Sequence, residues 1–235
     1  DCLRDLSFEA MLDWCAAHQI ETIELGTGNF SPASHCNPEL WLESDSVRMQ
    51  SLGAIAQRGL GLAALNCSGN LLDPDPERRA RAQTVFRQSV LLAEKLGVPT
   101  VVTMSGCPGE PDGLARYPNW VTCYWQPEFL SLLEWQWTEV VEPFWREAAR
   151  FAADHGVRLA IEMHPGQVVY NLRTFVRLRA AGAPTIGANL DPSHLFWQGI
   201  DPLRVIATLG EAVFHVHAKD CRINDDEMAL NGGLE

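Results

Sequence analysis

The sequence predicts an α/β protein of the (β/α)8 barrel class, with the first and eighth strands falling outside these 235 residues. Three observations predict it. Helix-period and strand-period segments alternate along the chain with no hairpin signal between strands, the pattern of a parallel sheet with helical crossovers. Six strand runs can be counted where a closed barrel needs eight; the chain opens on a helix with no strand before it and ends soon after a strand. The last three runs, VRLAIEMHPG, IGANLDPSH and VFHVHAKD, each end in carboxylates or imidazoles. Ligands drawn from three successive strands favour a barrel over an open doubly wound sheet, which gathers its site at one switch point. Residues 1–235 therefore read as one barrel domain, incomplete at both ends.

In chain order, Ser7 to His18 carries apolar residues at Phe8, Met11, Leu12 and Cys15, a helical stripe with Ser7 as N-cap. IETIELG is the first strand. The Gly26-Thr27-Gly28 run behind it lacks the spacing of a dinucleotide fingerprint. A second helix is expected over Leu42–Arg58, and GLGLAALNCSGN is a strand ending in the polar cluster Asn66, Cys67, Ser68. Asp73-Pro-Asp-Pro opens a long helix that Gly97 stops. VPTVVTMSG is apolar almost throughout, as a strand buried on both faces must be. Residues 107–126, rich in Pro, Gly and aromatics, predict a long loop over the strand ends, where Trp120, Tyr124 and Trp125 either wall a pocket or pack the loop down. A helical region over Leu130–His155 has Pro143 as a kink or first-turn residue. The three ligand-bearing strands follow, separated by helices near Leu172–Ala181 and Pro202–Leu209, and the tail CRINDDEMALNGGLE shows no further strand.

Side chains two apart on a strand share a face. Glu162 and His164 then point one way, as do Asn189 and Asp191, and as do His215, His217 and Lys219. Any one of these alone is more often structural, since His finds core partners and Asp before Pro forms turns. Their recurrence at one end of three successive strands is what points to a site. Mixed Glu, Asp and His ligation suits a divalent metal ion, Mn²⁺, Co²⁺, Fe²⁺ or Zn²⁺, with Mg²⁺ less favoured once imidazole takes part.

Composition narrows the partners. Thirty acidic against 18 basic residues give a net charge of −12, a field that opposes binding to nucleic acid backbones. The chain holds no 18-residue apolar run, so no membrane span is expected. The seven cysteines are scattered, without a C-x-x-C pair, which excludes a zinc ribbon and a disulfide scaffold. With no signal-like start, the cytoplasm is the expected compartment.

IELG, IEMHPG, NLDPSHLFWQG and HVHAKD, in that order, resemble the xylose isomerase-like TIM barrel superfamily, the sugar phosphate isomerases and epimerases. The resemblance implies a divalent metal held by Glu162, Asp191 and His217, with a fourth glutamate from the eighth strand that has no counterpart here unless Glu235 stands near it. Similar enzymes use the fifth- and eighth-strand glutamates as acid/base groups, which makes Glu162 catalytic as well as ligating. His194 matches a substrate-contacting histidine, and Lys219 resembles a polar residue near the substrate in the inosose dehydratase-like branch. Asn66, His164 and Trp197 complete the expected substrate-binding set.

The function expected is a metal-dependent sugar isomerase or epimerase, drawing a proton from the carbon next to a carbonyl through an enediolate. A Lewis-acid cation stabilises such an intermediate, and a carboxylate base adds about 10²–10⁴ in rate. The runner-up is a keto-sugar or inosose dehydratase, which begins with the same step; a non-catalytic sugar- or metal-binding barrel is the third reading. The endonuclease IV-like branch of the fold is disfavoured by the acidic charge and the absence of a basic groove. The expected partner is a small sugar or polyol-derived ketone, with homo-oligomerisation left open.

Overall fold

The computed structural model describes residues 2–233; Asp1, Leu234 and Glu235 lie outside them, and so does the expectation attached to Glu235. Six parallel strands stand in sequential order: β1 (Thr22–Gly26), β2 (Gly61–Asn66), β3 (Thr100–Met104), β4 (Arg158–Glu162), β5 (Ile186–Leu190) and β6 (Val213–Val216). Each strand is joined to the next through at least one helix, as parallel pairing requires. Among the described residues β1 and β6 are the two edges, so the sheet is a barrel wall of six strands.

Pattern and packing agree strand by strand. In β1, Ile23 and Leu25 are buried in the main core with the helices, while Thr22, Glu24 and Gly26 take the other face. β3 and β5 are buried at every residue. The inner face of the sheet is filled at its base by small residues, Ala64, Val102 and Ala160, against Phe214. Gly187 belongs to the same layer, since a Cβ there would run into the Phe214 ring. The inner side chains at the carboxyl ends are polar instead, and there the site lies.

Helix boundaries follow their caps. α1 (Phe8–Ala17) starts at Ser7, whose side chain accepts from Ala10 N, and α4 (Pro76–Leu96) runs from Asp75 to Gly97 at φ +67°. The helix expected over Leu42–Arg58 is two: α2 (Pro38–Glu43), capped by Asn37, and α3 (Asp45–Gln57). Ser44 divides them because it is extended and its hydroxyl caps Val47 N, a local hydrogen bond that restarts the helix. The expected Leu130–His155 region is α5 (Pro127–Trp135), a π-helical stretch Gln136–Val141 and α6 (Glu142–Asp154). Pro143 supplies no N–H to the preceding turn and sits in the first turn of α6, immediately after the wider π stretch. α7 (Leu172–Gly182), the short α8 (Ser193–Phe196) and α9 (Pro202–Leu209) follow, and the polar tail forms α10 (Asp225–Asn231) behind an Asn224 cap.

Candidate active site

The register brings the polar residues level. Glu162 on β4 stands opposite Asn189 on β5, which stands opposite His215 on β6. Two register shifts, at Ile23/Glu24 in β1 and at Ala188/Asn189 beside β6, lie next to these positions. Such bulges re-aim side chains at the ends of strands.

Glu162 is the hinge of the cluster. It is 4% exposed, and its two oxygens face different partners. Oε2 accepts from Asn189 Nδ2 at 3.0 Å and lies 3.3 Å from His217 Nδ1, while Oε1 lies 3.2 Å from His194 Nε2. Burial raises its pKa, but the bonds from His194 and His217 outweigh that and hold the carboxyl well below its ordinary range. Asp191, 2% exposed, gives Oδ1 to the backbone N–H and the hydroxyl of Ser193. Its Oδ2 lies 2.8 Å from Lys219 Nζ and 3.4 Å from His194 Nε2.

His217 lies between two carboxylates. Nδ1 faces Glu162, and Nε2 lies 3.1 Å from Glu24 Oε2. Burial lowers its pKa, yet the two carboxylates prevail and push it up to about 10. Glu24 is the residue that sequence reasoning missed. It also lies 2.9 Å from His215 Nε2 and accepts from Asn66 Nδ2 at 2.9 Å. Burial raises the Glu24 carboxyl, and the hydrogen bonds from both histidines outweigh this to bring it to about 2. The signal was present: an acid between two apolar residues of IEL is on the inner face by period-two alternation.

Of the expected metal ligands, one atom each from Glu162, Asp191 and His217 lie within 4.8 Å of one another. Glu162, His164 and His194 form a second such group, and Glu24, His215 and His217 a third. The first group fits a divalent cation. Its donors are two carboxylates and an imidazole, and the buried Asp191 Oδ2 has the ion pair with Lys219 but no aligned hydrogen bond among the described residues.

Among the expected substrate-binding residues, His164 and His194 come together with ring centroids 4.2 Å apart, and His164 Nδ1 donates to the Pro165 carbonyl at 2.7 Å, which leaves Nε2 without a hydrogen bond among the described residues. Lys219 Nζ reaches His194 Nε2 at 3.2 Å. That nitrogen cannot both accept from Lys219 and donate to Glu162, so the tautomer selects one. Asn66 is engaged on both sides, donating to Glu24 and accepting from Ser68 N. Trp197 ends the α8 turn and makes no hydrogen bond or ring contact with the cluster among the described residues. Among the loop aromatics, Trp120 packs on Tyr170 and lines a cavity with Tyr124, whereas Trp125 is 79% exposed.

The family model described as the xylose isomerase-like TIM barrel matches residues 12–233. An uncharacterized protein of Bacillus subtilis (strain 168), YfiH, is 42% identical over 239 residues, covering all of this chain and 75% of the relative. Among solved structures, the probable 3-DHS dehydratase AsbF from Bacillus anthracis superposes with a TM-score of 0.67 at 17% identity, over 96% of this chain and 72% of its own. The 3-keto-D-glucoside 4-epimerase YcjR from E. coli does so with 0.65 at 13% identity, over 90% and 73%. At these identities the two structures speak for the fold alone. No helix among the described residues is long and apolar enough to cross a membrane.

Proposed function

For a chain that belongs to the xylose isomerase-like TIM barrel family, we propose a divalent-metal-dependent isomerase or epimerase acting on a sugar or polyol-derived ketone by removing the proton next to its carbonyl. The observation that carries this is the division of Glu162. One oxygen, Oε2, faces His217, and the other, Oε1, faces His194. A single carboxylate can then ligate through Oε2 and exchange a substrate proton through Oε1.

Glu162, Asp191 and His217 would hold the cation. Bound there, it supplies the Lewis acidity that stabilises negative charge developing on a carbonyl oxygen and its neighbouring hydroxyl. The protein's own groups do the rest. Glu162 is ionised at neutral pH and receives the proton from carbon. Returning it to the adjacent carbon, with the neighbouring hydroxyl's proton passed to the former carbonyl oxygen, gives isomerisation; epimerisation requires a second acid on the opposite face. His164 and His194 offer imidazole nitrogens to substrate hydroxyls beside Oε1. Glu24 engages Nε2 of His217, so Nδ1 is the nitrogen presented to the ligand point.

A second reading, dehydration of the same class of ketone, is favoured by Lys219. Its ammonium lies beside both His194 and Asp191 and could protonate a departing hydroxyl after the same first step. Both kinds of reaction occur on this fold, one neighbour being an epimerase of a 3-keto-glucoside and the other a probable dehydratase. The test is full-length protein loaded with Mn²⁺ and incubated in D₂O with a panel of ketoses and inososes. Carbon-bound deuterium in an unchanged or epimerised sugar supports the first reading, and loss of water the second. Absence of both, with metal bound, refutes the enzyme reading.

A further inference from the structure

Beside the cluster, and sharing none of its side chains, is a cavity of about 420 Å³ between the loop 107–126, α5, the π-helical stretch and the start of α7. Its size falls within the range of small-molecule sites. Its walls join two kinds of surface. Trp120 and Tyr170, in edge-to-face contact at 5.4 Å, and the half-exposed Tyr124 supply aromatic area. Polar groups are set among them: Gln136, Asn171 and Arg173.

Two residues of this wall each carry a polar atom that is left over. Gln136 is fully buried, and its Nε2 donates to the carbonyls of Gly109 and Asn119 at 3.1 and 2.8 Å, which fixes the amide orientation. Its Oε1 then has no donor among the described residues, and Trp120 Nε1 has no acceptor. An unmade buried hydrogen bond is costly enough that such pairs call for an explanation. Here the lone acceptor and the lone donor are carried by two residues that line the same cavity. The π-helical stretch that carries Gln136 is itself a rare form of helix, frequent at functional sites.

The cavity is also tied to the reacting end. Gln198 Nε2 donates to the carbonyls of Tyr170 and His194 at 2.9 and 2.7 Å, so one amide clamps the backbone of both walls. The loop from His164 to Asn171 serves both: His164 joins the cluster, and Tyr170 and Asn171 line the cavity.

We propose that this cavity is a saccharide subsite, holding a second, unreacting sugar ring of the substrate. A sugar ring has an apolar C–H face for the aromatic walls and hydroxyls that both donate and accept, which is what Gln136 Oε1 and Trp120 Nε1 lack. This inference rests on the proposed function in one respect: it makes the substrate of the metal cluster a glycoside rather than a free monosaccharide. The remote ring then supplies binding energy that helps to orient the reacting one.

The test measures binding without turnover. Metal-free full-length protein is titrated with cellobiose, maltose, lactose and sucrose, and with glucose, galactose and fructose, followed by saturation-transfer NMR. At least one disaccharide should bind roughly tenfold more tightly than its constituent monosaccharides, the worth of one aromatic contact with a satisfied buried donor. Trp120→Ala should abolish that gap. Tyr124→Ala, at a rim position where truncation leaves the core intact, should reduce it, so the result does not hang on one variant that could misfold. Equal binding of one- and two-ring sugars, or a preference untouched by both variants, overturns the proposal. Failure of the enzyme reading looks different: disaccharide binding that depends on Trp120, with no deuterium exchange or water loss after metal loading.

Discussion

Metal binding should release a proton, and His217 sets how strongly. In the metal-free protein its imidazole is held charged between Glu24 and Glu162, with a pKa of about 10. A nitrogen cannot carry a proton and ligate a cation at once, so Nδ1 must be deprotonated when metal enters. At pH 7.5 this stands about two and a half pH units below the pKa, a displacement cost of roughly 3 kcal/mol. The sign follows: raising the pH towards 10 removes the cost, so apparent affinity should rise about tenfold per pH unit. Titration calorimetry with Mn²⁺ between pH 6.5 and 8.5, in buffers of different ionisation enthalpy, measures both quantities. We expect close to one proton released per cation and a matching slope in affinity. A buffer-independent enthalpy with flat affinity would refute the assignment of His217 as a ligand.

Glu162→Gln should keep most sugar binding while losing at least about 10²-fold in deuterium exchange, the lower range for a general base, as single-turnover D₂O incorporation would show. Asp191→Asn and His217→Ala should instead lose metal first, read by equilibrium dialysis with elemental analysis. Glu24→Gln should weaken metal binding by about 10–100-fold, the usual worth of a carboxylate behind a ligating histidine, with the fold unchanged by circular dichroism. In the metal-free protein the Glu24–His217 pair should stabilise most between pH 4.5 and 6.5, the ordinary values of the two groups. The carboxylate's share is lost as pH falls towards 2 and the imidazole's as it rises towards 10, which thermal melts across pH can follow. Gly187→Ala should destabilise by about 1–3 kcal/mol in urea unfolding, because the new methyl displaces the Phe214 ring on the inner face.

The sheet was legible because its signals are local. Each strand is a short apolar run, each connection carries a helical stripe or cap, and the six runs pair in sequence order. That Glu162, Asp191 and His217 come together was legible for a related reason: each lies at or just after the end of a strand that its own motif announces. Helix interruptions were harder. Ser44 looks like any polar helix residue until its hydroxyl is seen capping Val47, and the π stretch shows in the sequence only as Pro143. The role of Glu24 was not legible, since its partner His217 is 193 positions away and a register shift in β1 lies directly before it. Trp197, whose place in NLDPSHLFWQG suggested the site, caps α8 and makes no hydrogen bond or ring contact with the cluster among the described residues.

Glu24 also changes the charge arithmetic of the site. Read from the last three strands alone, the cluster holds two carboxylates, Glu162 and Asp191, beside the ammonium of Lys219 and the ring of His217. A divalent cation added to a neutral His217 would then leave a net positive charge in a largely buried place. With Glu24 counted, three carboxylates face one ammonium, and a divalent cation brings them to balance. In the metal-free protein the imidazolium of His217 does part of that work. The same carboxylate therefore serves both states, pairing with the protonated ring before metal enters and compensating the cation afterwards. This is why Glu24→Gln should weaken even a hard, oxygen-preferring cation such as Mg²⁺, and not only those that bind imidazole strongly. A loss confined to Zn²⁺ or Co²⁺ would mean that Glu24 acts on ring orientation and not on charge.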